Sequence, residues 1–510
     1  MIANLSPPAA ARARASLVRY DPEFRQRLQV EDEDKADIGG YEEEGSQPTP
    51  RVNLGYLGQP PDDSMNNLTL SPVVQEHTLP CSYIREYPLA TAESQEDALH
   101  LAIKQYTPLD NLSPQKGDVT IIAAHANGFP KELYEPLWDE MHSRLRASGI
   151  KIRSIWIADV AQQGQSSVLN ENILGNDPSW FDHPRDLFLM INHFRDQMPQ
   201  PLIGMGHSMG GAHLTALSLL HPRLLSTLIL IDPVIIRASY LNAYKLGRLS
   251  ARRRDRWPSR AAARKAFEKS PMFKSWDKRV LDCWMEHALR DLPTKLYPEV
   301  TASSTPPALG ADVSGSTISP DSKTEVPVTL KTTKHQEVMT FMRGNFVTPS
   351  NPAPSTAPNP LTHPDVDTSG ASVEPFYRAE SFHLFKLLPY LRPSVLYVFG
   401  TESDLSAPQH IADKLEFTGV GVGGSGGVAK GRVKEFTMQG GGHLMPMESV
   451  GETANQCSGW LLQELKRWKD EYIQIEALRA AIPREKRGQM SDGFVQALGQ
   501  PQSGQAKSKL

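Results

Sequence analysis

The chain has 510 residues, of which 39% are hydrophobic and 22% are charged, so it can build a sizeable core. Its formal net charge of −4 gives no sign of a nucleic-acid-binding protein, and its three widely spaced cysteines match neither a zinc site nor a disulfide framework. No apolar run approaches the ~20 residues of a membrane-spanning helix.

The N-terminal part of the chain changes character near residue 76. Residues 1–75 are acidic and have few apolar residues in phase, so we expect a disordered arm, with folding starting near Cys81. Half-buried strands are predicted at residues 83–87 and 99–106, and a buried strand at residues 119–124.

Strand and helix signals then alternate. Helices are predicted at residues 133–147 and 184–198, and strands at residues 150–157 and 201–205. Three more strands are predicted at 225–231, 394–399 and 432–438. This alternation predicts an α/β fold with a mostly parallel central sheet and helices on both faces.

A nucleophile elbow is predicted at Gly206-His-Ser-Met-Gly210, between the strand at 201–205 and a helix at 211–220. A serine on such a sharp turn has a strained backbone, which requires small neighbours and explains Gly206 and Gly210. The turn projects the hydroxyl of Ser208 toward a substrate and directs the Met209 N–H at a developing oxyanion. The interpretation is acyl transfer with Ser208 as nucleophile.

The gap of roughly 160 residues between the strands at 225–231 and 394–399 is too long for a simple connection. We expect a largely helical cap insertion with flexible Ser/Thr/Pro-rich linkers and an ordered segment at 328–338. The predicted organisation is therefore a disordered arm, two core parts that flank the cap, and a flexible tail. Their bounds are 1–75, 76–236, 237–390, 391–480 and 481–510, in that order.

The nucleophile needs a base, and His443 is the candidate because it follows three glycines just after the last predicted strand. Two acids could orient this histidine. Asp232 ends the strand after the elbow unit, and Asp404 lies just beyond the next strand. Local pattern leaves both open.

A second oxyanion donor is expected in His125-Ala-Asn-Gly-Phe-Pro130, which follows the strand at 119–124. The predicted donor is the backbone N–H of Phe129, which would act together with that of Met209.

The chain finishes with Ser508-Lys509-Leu510, the form of a peroxisomal address that an import receptor recognises. We therefore expect the peroxisomal matrix as its location and that receptor as a partner.

Several motifs, in order, resemble one family, the fungal peroxisomal α/β-hydrolases of secondary metabolism, such as those of mycophenolic acid and AK-toxin biosynthesis. The resemblance covers roughly residues 76–470 and is carried by the turn, elbow and histidine motifs above, together with four further segments. These are Asp159-Val-Ala-Gln-Gln-Gly-Gln-Ser-Ser167, Ile231-Asp-Pro-Val234, Thr332-Thr-Lys-His-Gln-Glu-Val338 and the terminal tripeptide.

The resemblance implies hydrolysis of an acyl-CoA thioester, and it favours Asp232 over Asp404 as the acid. A serine hydrolase with this triad needs no cofactor, and we expect no metal. A CoA ester needs a site for its phosphates, and a basic run in the cap could supply it, with Arg252, Arg253 and Arg256 as the candidates. A solvated helix face is the alternative for that run. A carboxylesterase or lipase with the same triad, and a non-catalytic ligand-binding homologue, are the alternative functions.

Overall fold

The computed structural model describes residues 72–237, 242–299, 325–345, 359, 361–366 and 376–499. The chain divides into two units, Met1–Asn66 and Asn67–Leu510, and every described residue belongs to the second. None of the helices within the described ranges is both long and apolar enough to cross a membrane.

The first part of the chain supplies six strands and four helices. The strands are β1 (Pro72–Pro80), β2 (His100–Pro108), β3 (Val119–Ala124), β4 (Ile152–Ala158), β5 (Leu202–His207) and β6 (Thr227–Ile231). The helices are α1 (Glu135–Ala147), α2 (Gly164–Leu169), α3 (Asp182–His193) and α4 (Met209–Leu220).

A set of helices and short strands lies between β6 and the next strand of the main sheet. Its helices are α5 (Asn242–Arg252), α6 (Arg260–Lys269), α7 (Pro271–Lys274), α8 (Lys278–His287) and α9 (Lys334–Phe341). Its strands are β7 (Arg256–Trp257), β8 (Leu289–Asp291), β9 (Val328–Leu330), β10 (Arg343–Gly344) and β11 (Phe376–Tyr377). We call these elements the cap.

The last part returns to the main sheet. Its elements are α10 (Ala379–Leu387), β12 (Ser394–Gly400), α11 (Pro408–Phe417), β13 (Val433–Met438), α12 (Met445–Glu448), α13 (Val450–Ala480) and α14 (Asp492–Gly499). Short 3₁₀ turns occur at Leu109–Asn111, Lys131–Tyr134, Arg195–Gln197, Leu388–Tyr390, Asp404–Ser406, Val428–Lys430 and Arg484–Lys486.

The main sheet has eight strands in the order β1-β2-β4-β3-β5-β6-β12-β13. β1 pairs antiparallel with β2, and β2 pairs antiparallel with β4. The remaining neighbours are all parallel. This confirms the predicted α/β fold with a mostly parallel sheet.

Both faces of the sheet are covered, as predicted. Along β3 the side chains alternate between two apolar cores, with Ile121 and Ala123 in one and Ile122 and Ala124 in the other. Helices α1 and α13 contribute to the first core, and α3, α4 and α10 contribute to the second. A strand buried on both faces reads as a continuous apolar run, which is why β3 was recognisable in the sequence.

The parallel strands bring the candidate residues to one edge of the sheet. β3, β5, β6, β12 and β13 are consecutive neighbours and run in the same direction. The segments that follow their carboxyl ends therefore lie side by side, where ligands bind in open α/β sheets.

At two places the strands of the structure differ from those expected from the sequence. β1 begins at Pro72, before the predicted start of folding, and most of its side chains are exposed, so it lacks the apolar alternation of a half-buried strand. Residues 83–87 form bends instead of a strand, because the buried Arg85 points to the carboxylates of Asp182 and Asp186 in α3. Helix α14 lies within the segment that was predicted to be a flexible tail.

Candidate active site

The turn between β5 and α4 has the geometry of a nucleophile elbow. Ser208 joins the two elements with φ 56° and ψ −118°, in the positive-φ region that side chains other than glycine rarely adopt. A Cβ on Gly206 would lie 2.4 Å from Gly210 O, and one on Gly210 would lie 2.1 Å from Ala124 O. The close backbone approach therefore requires glycine at both positions.

Three predicted residues form one chain of hydrogen bonds at this turn. His443 Nε2 lies 3.0 Å from Ser208 Oγ, and His443 Nδ1 lies 2.6 Å from Asp232 Oδ2. With the proton on Nδ1, the imidazole donates to the carboxylate and can accept the serine proton at Nε2. The arrangement can convert Ser208 into a nucleophile.

Two serines from the loop after β12 hold the Asp232 carboxylate. The hydroxyls of Ser403 and Ser406 both donate to it, the latter at 2.6 Å. Burial alone would raise the pKa of Asp232, but the hydrogen bonds from His443 and the serines outweigh it and lower the pKa below its ordinary value. The group facing His443 is therefore an ionised carboxylate.

Asp404, the alternative acid, is placed differently. It follows β12 in the turn Asp404–Ser406 and lines the same cavity as Ser208 and His443. The group within hydrogen-bonding distance of His443 Nδ1 is the Asp232 carboxylate. The geometry thus favours Asp232.

A buried histidine beside the nucleophile anchors the loop that carries His443. His207 Nε2 lies 2.8 Å from the backbone oxygen of His443, and its Nδ1 lies 2.9 Å from the hydroxyl of Tyr134. Burial, reinforced by the nearby His443, lowers the pKa of His207 to about 3, so its ring is neutral. It then donates from Nε2 to the carbonyl and accepts from Tyr134. Sequence reasoning had assigned His207 only to the elbow.

The turn after β3 uses the Phe129 amide for its own closure. Phe129 N–H donates to Ala126 O at 3.2 Å, and the phenyl ring packs edge-on against Trp276 and Trp284 of the cap. Asn127 instead lines the cavity that contains Ser208, as does Met209. The geometry favours Asn127 over Phe129 as the partner of Met209 in an oxyanion hole.

Gln163 connects this turn to the cap through hydrogen bonds. Its Oε1 accepts from Gly128 N–H at 2.8 Å, and its Nε2 donates to Asn127 Oδ1 at 2.5 Å and to Thr340 Oγ1 of α9 at 3.2 Å. The side-chain NH₂ group of Asn127 also donates to the backbone oxygen of Glu337 on the same helix. The segment from Asp159 to Ser167 that carries part of the resemblance contains Gln163, but its role was not predictable because its partners are distant in the chain.

The cavity beside Ser208 has a volume of about 400 Å³, within the range of small-molecule sites. Its apolar lining includes Trp180 and Val234 from the core side and Leu246 and Phe341 from the cap. The cavity is therefore lined jointly by the sheet edge and the cap. Within the described residues, no cluster of three or more His, Cys, Asp or Glu side chains could hold a metal ion.

The three arginines predicted to hold CoA phosphates have different surroundings. Arg252 is exposed, Arg253 forms an ion pair with Glu337, and the Arg256 guanidinium lies 4.6 Å from the centre of the Tyr297 ring. Two of the three are therefore already engaged by neighbouring side chains. The terminal Ser508, Lys509 and Leu510 lie outside the described residues.

The chain is similar in sequence to one protein family and to individual known proteins. The sequence model of the alpha/beta hydrolase family matches residues 121–456. The type I acyl-CoA thioesterase mpaH of Penicillium roqueforti is 44% identical over 406 residues, which cover 78% of this chain and 89% of that protein. The abhydrolase domain-containing protein AFT2-1 of Alternaria alternata is 28% identical over 266 residues, or 52% of this chain and 84% of that protein.

Among solved structures, the peroxisomal alpha-beta-hydrolase Lpx1 of Saccharomyces cerevisiae has the same fold. It superposes with a TM-score of 0.53 at 17% sequence identity, over 84% of this chain and 95% of that chain.

Proposed function

We propose that this chain, which belongs to the alpha/beta hydrolase family, hydrolyses acyl-CoA thioesters with Ser208 as the nucleophile. One observation carries the proposal. Ser208 Oγ, His443 and the Asp232 carboxylate form an unbroken chain of hydrogen bonds at the wall of a cavity large enough for an acyl group. The similarity to the type I acyl-CoA thioesterase of Penicillium roqueforti supports the choice of a thioester over an oxyester.

Acylation would proceed in two steps. Ser208 Oγ attacks the thioester carbonyl while His443 Nε2 takes its proton, and the ionised Asp232 stabilises the imidazolium that forms. The tetrahedral oxyanion is stabilised by the amides of Met209 and Asn127. Collapse breaks the carbon–sulfur bond, and His443 returns the proton to the leaving sulfur, so that free CoA and an acyl-serine result.

Deacylation repeats this chemistry with water. His443 Nε2 takes a proton from a water molecule that attacks the acyl-serine, and it then protonates Ser208 Oγ as the carboxylic acid leaves. The cycle needs no group beyond the side chains and amides already described.

A thiol-release assay over a panel of acyl-CoAs tests the proposal, with Ser208→Ala as the control. We expect turnover by the wild type and a fall of about 10⁴ or more in the variant, since the oxyanion hole alone leaves a small residual rate. Faster cleavage of a triglyceride or a p-nitrophenyl ester than of any acyl-CoA would instead indicate a lipase or carboxylesterase.

A fluorophosphonate probe tests the nucleophile directly. We expect labelling of the wild type and none of Ser208→Ala. An unlabelled, folded wild-type protein would point to a ligand-binding homologue without activity.

We further propose that the enzyme acts in the peroxisomal matrix, where CoA thioesters are processed. The support is the terminal Ser508-Lys509-Leu510. A fluorescent protein fused to the N-terminus should colocalise with a peroxisomal marker, and removal of the three residues should leave it in the cytosol. An unchanged distribution would refute this address.

A further inference from the structure

The outward face of cap helix α5 carries three exposed cations. Lys245, Arg248 and Arg252 are spaced by three and four residues, so they lie on one side of the helix. At the rise of an α-helix they span about 10 Å. We call these three residues the α5 basic stripe.

The opposite side of α5 is fixed against helix α9 and the residues after it. Gly247 lies so close to Met342 that a Cβ there would be 1.9 Å from Met342 Cε. Ser250 Oγ donates to Glu337 Oε1 at 2.6 Å, and Arg253 pairs with the same carboxylate. These contacts set the rotation of the helix and keep the α5 basic stripe facing outward.

Four arginines that follow α5 in the chain already have partners. Arg254 donates to Arg256 O, and Arg256 stacks over Tyr297. Arg260 pairs with Asp291, and Arg264 with Asp282. Within the described parts of the chain, no ion pair holds any member of the α5 basic stripe, so its charge is available to an anion.

One end of the α5 basic stripe reaches the active-site cavity. Lys245 and its neighbour Leu246 line the cavity that contains Ser208 and His443. In an acyl-CoA, an uncharged pantetheine arm separates the thioester from the phosphates. A thioester carbonyl at Ser208 therefore places the phosphates away from the catalytic residues, by the length of that arm.

We propose that the α5 basic stripe binds the diphosphate and the 3′-phosphate of CoA. The exposed Leu246 and Leu249 beside it offer apolar surface to the pantetheine arm. This inference rests on the proposed function. It keeps Arg252 from the predicted phosphate site and replaces Arg253 and Arg256, which are held by Glu337 and Tyr297.

The test compares two thioesters of the same acyl group, one with CoA and one with N-acetylcysteamine, which lacks the phosphates. An exposed ion pair changes binding by up to about fivefold, so Arg248→Ala with Arg252→Ala should raise KM for the CoA ester about tenfold. We expect kcat to stay within about twofold and KM for the N-acetylcysteamine ester to be unchanged. Added salt should raise the wild-type KM for the CoA ester alone, because exposed charges are screened.

The matched control is Arg260→Ala with Arg264→Ala, which removes the same charge from the neighbouring helix α6. These two arginines are paired with acids, so we expect little change in KM for either ester. An equal rise for both esters in the stripe variant, no rise for either, or the same rise in the control would overturn the proposal.

Calorimetric titration of free CoA into Ser208→Ala separates this inference from the proposed function. If no thioester is hydrolysed by the wild type, the proposed function fails, and the titration alone decides about the phosphate site. Weaker CoA binding after the two stripe substitutions would support the site. Absent or unchanged binding would overturn it.

Discussion

Asp232→Asn is the most direct test of the active-site geometry, because the substitution keeps the size of the side chain and removes its charge. In the native site three donors converge on the carboxylate, from His443 Nδ1 and the hydroxyls of Ser403 and Ser406. An asparagine supplies one acceptor oxygen and two N–H donors in their place.

Either orientation of the new amide impairs His443. If the NH₂ group faces Nδ1, the imidazole must carry its proton on Nε2 and can no longer accept the proton of Ser208. If the oxygen faces Nδ1, the hydrogen bond remains but the negative charge that stabilises the imidazolium is gone. By analogy with other triads we expect kcat to fall by about 10⁴, or about 5.4 kcal/mol in activation free energy.

The assay is thiol release at saturating acyl-CoA, with the melting temperature of each variant as a check on folding. Asp404→Asn is the matched control, since this residue lines the same cavity and loses the same charge. We expect it to keep its activity within about tenfold. The reverse ranking of the two variants would refute the assignment of Asp232.

Three further predictions concern groups away from the nucleophile. Gln163→Leu should lower kcat by about 10- to 100-fold with KM nearly unchanged, because the turn after β3, which carries Asn127, loses the hydrogen bond from Gly128 N–H to Gln163. In steady-state kinetics, a rise in KM alone would contradict this. Burial lowers the pKa of Lys414 to about 8 from 10.5. The unfolded chain then binds more protons between these pH values, so stability should rise with pH across that range. In urea unfolding, Lys414→Met should remove this slope and add up to about 3 kcal/mol at neutral pH, and an unchanged slope would contradict it. His213 and His183 stay neutral in the fold, with pKa values well below 6.5 because both are buried, so stability should fall as the pH drops below 6.5. His213→Leu should make that fall shallower by up to about 1.4 kcal/mol per pH unit, and an equally steep fall would contradict the reasoning.

The parts of the site that the sequence predicted are those with strict local requirements. The elbow needs glycine where backbones approach within van der Waals contact, and that requirement leaves a pattern around Ser208. His443 was identifiable because it follows a glycine-rich loop after the last strand of the sheet. In both cases the residues that reveal the feature are adjacent to it in the chain.

The parts that the sequence left open depend on residues distant in the chain. Asp232 and Asp404 both follow strands at the same sheet edge, and only the position of His443 Nδ1 distinguishes them. In the turn after β3, the sequence predicted the Phe129 amide as an oxyanion donor, whereas in the structure that amide closes the turn by donating to Ala126 O. Residue patterns do not encode that hydrogen bond.

Contacts between residues distant in the chain also connect the turn after β3 to the cap. Gln163 holds the turn after β3 and also binds Thr340 of cap helix α9. The backbone carbonyl of Glu337 on that helix accepts from the side-chain amide of Asn127. Glu337 in turn anchors α5 through Ser250, and α5 carries the basic stripe, of which Lys245 lines the cavity. The packing of α5 against α9 is therefore linked to the turn that carries Asn127, the proposed partner of Met209 in the oxyanion hole. Substitutions at this α5–α9 contact should consequently change kcat as well as KM, whereas substitutions on the outward face of α5 should change KM alone.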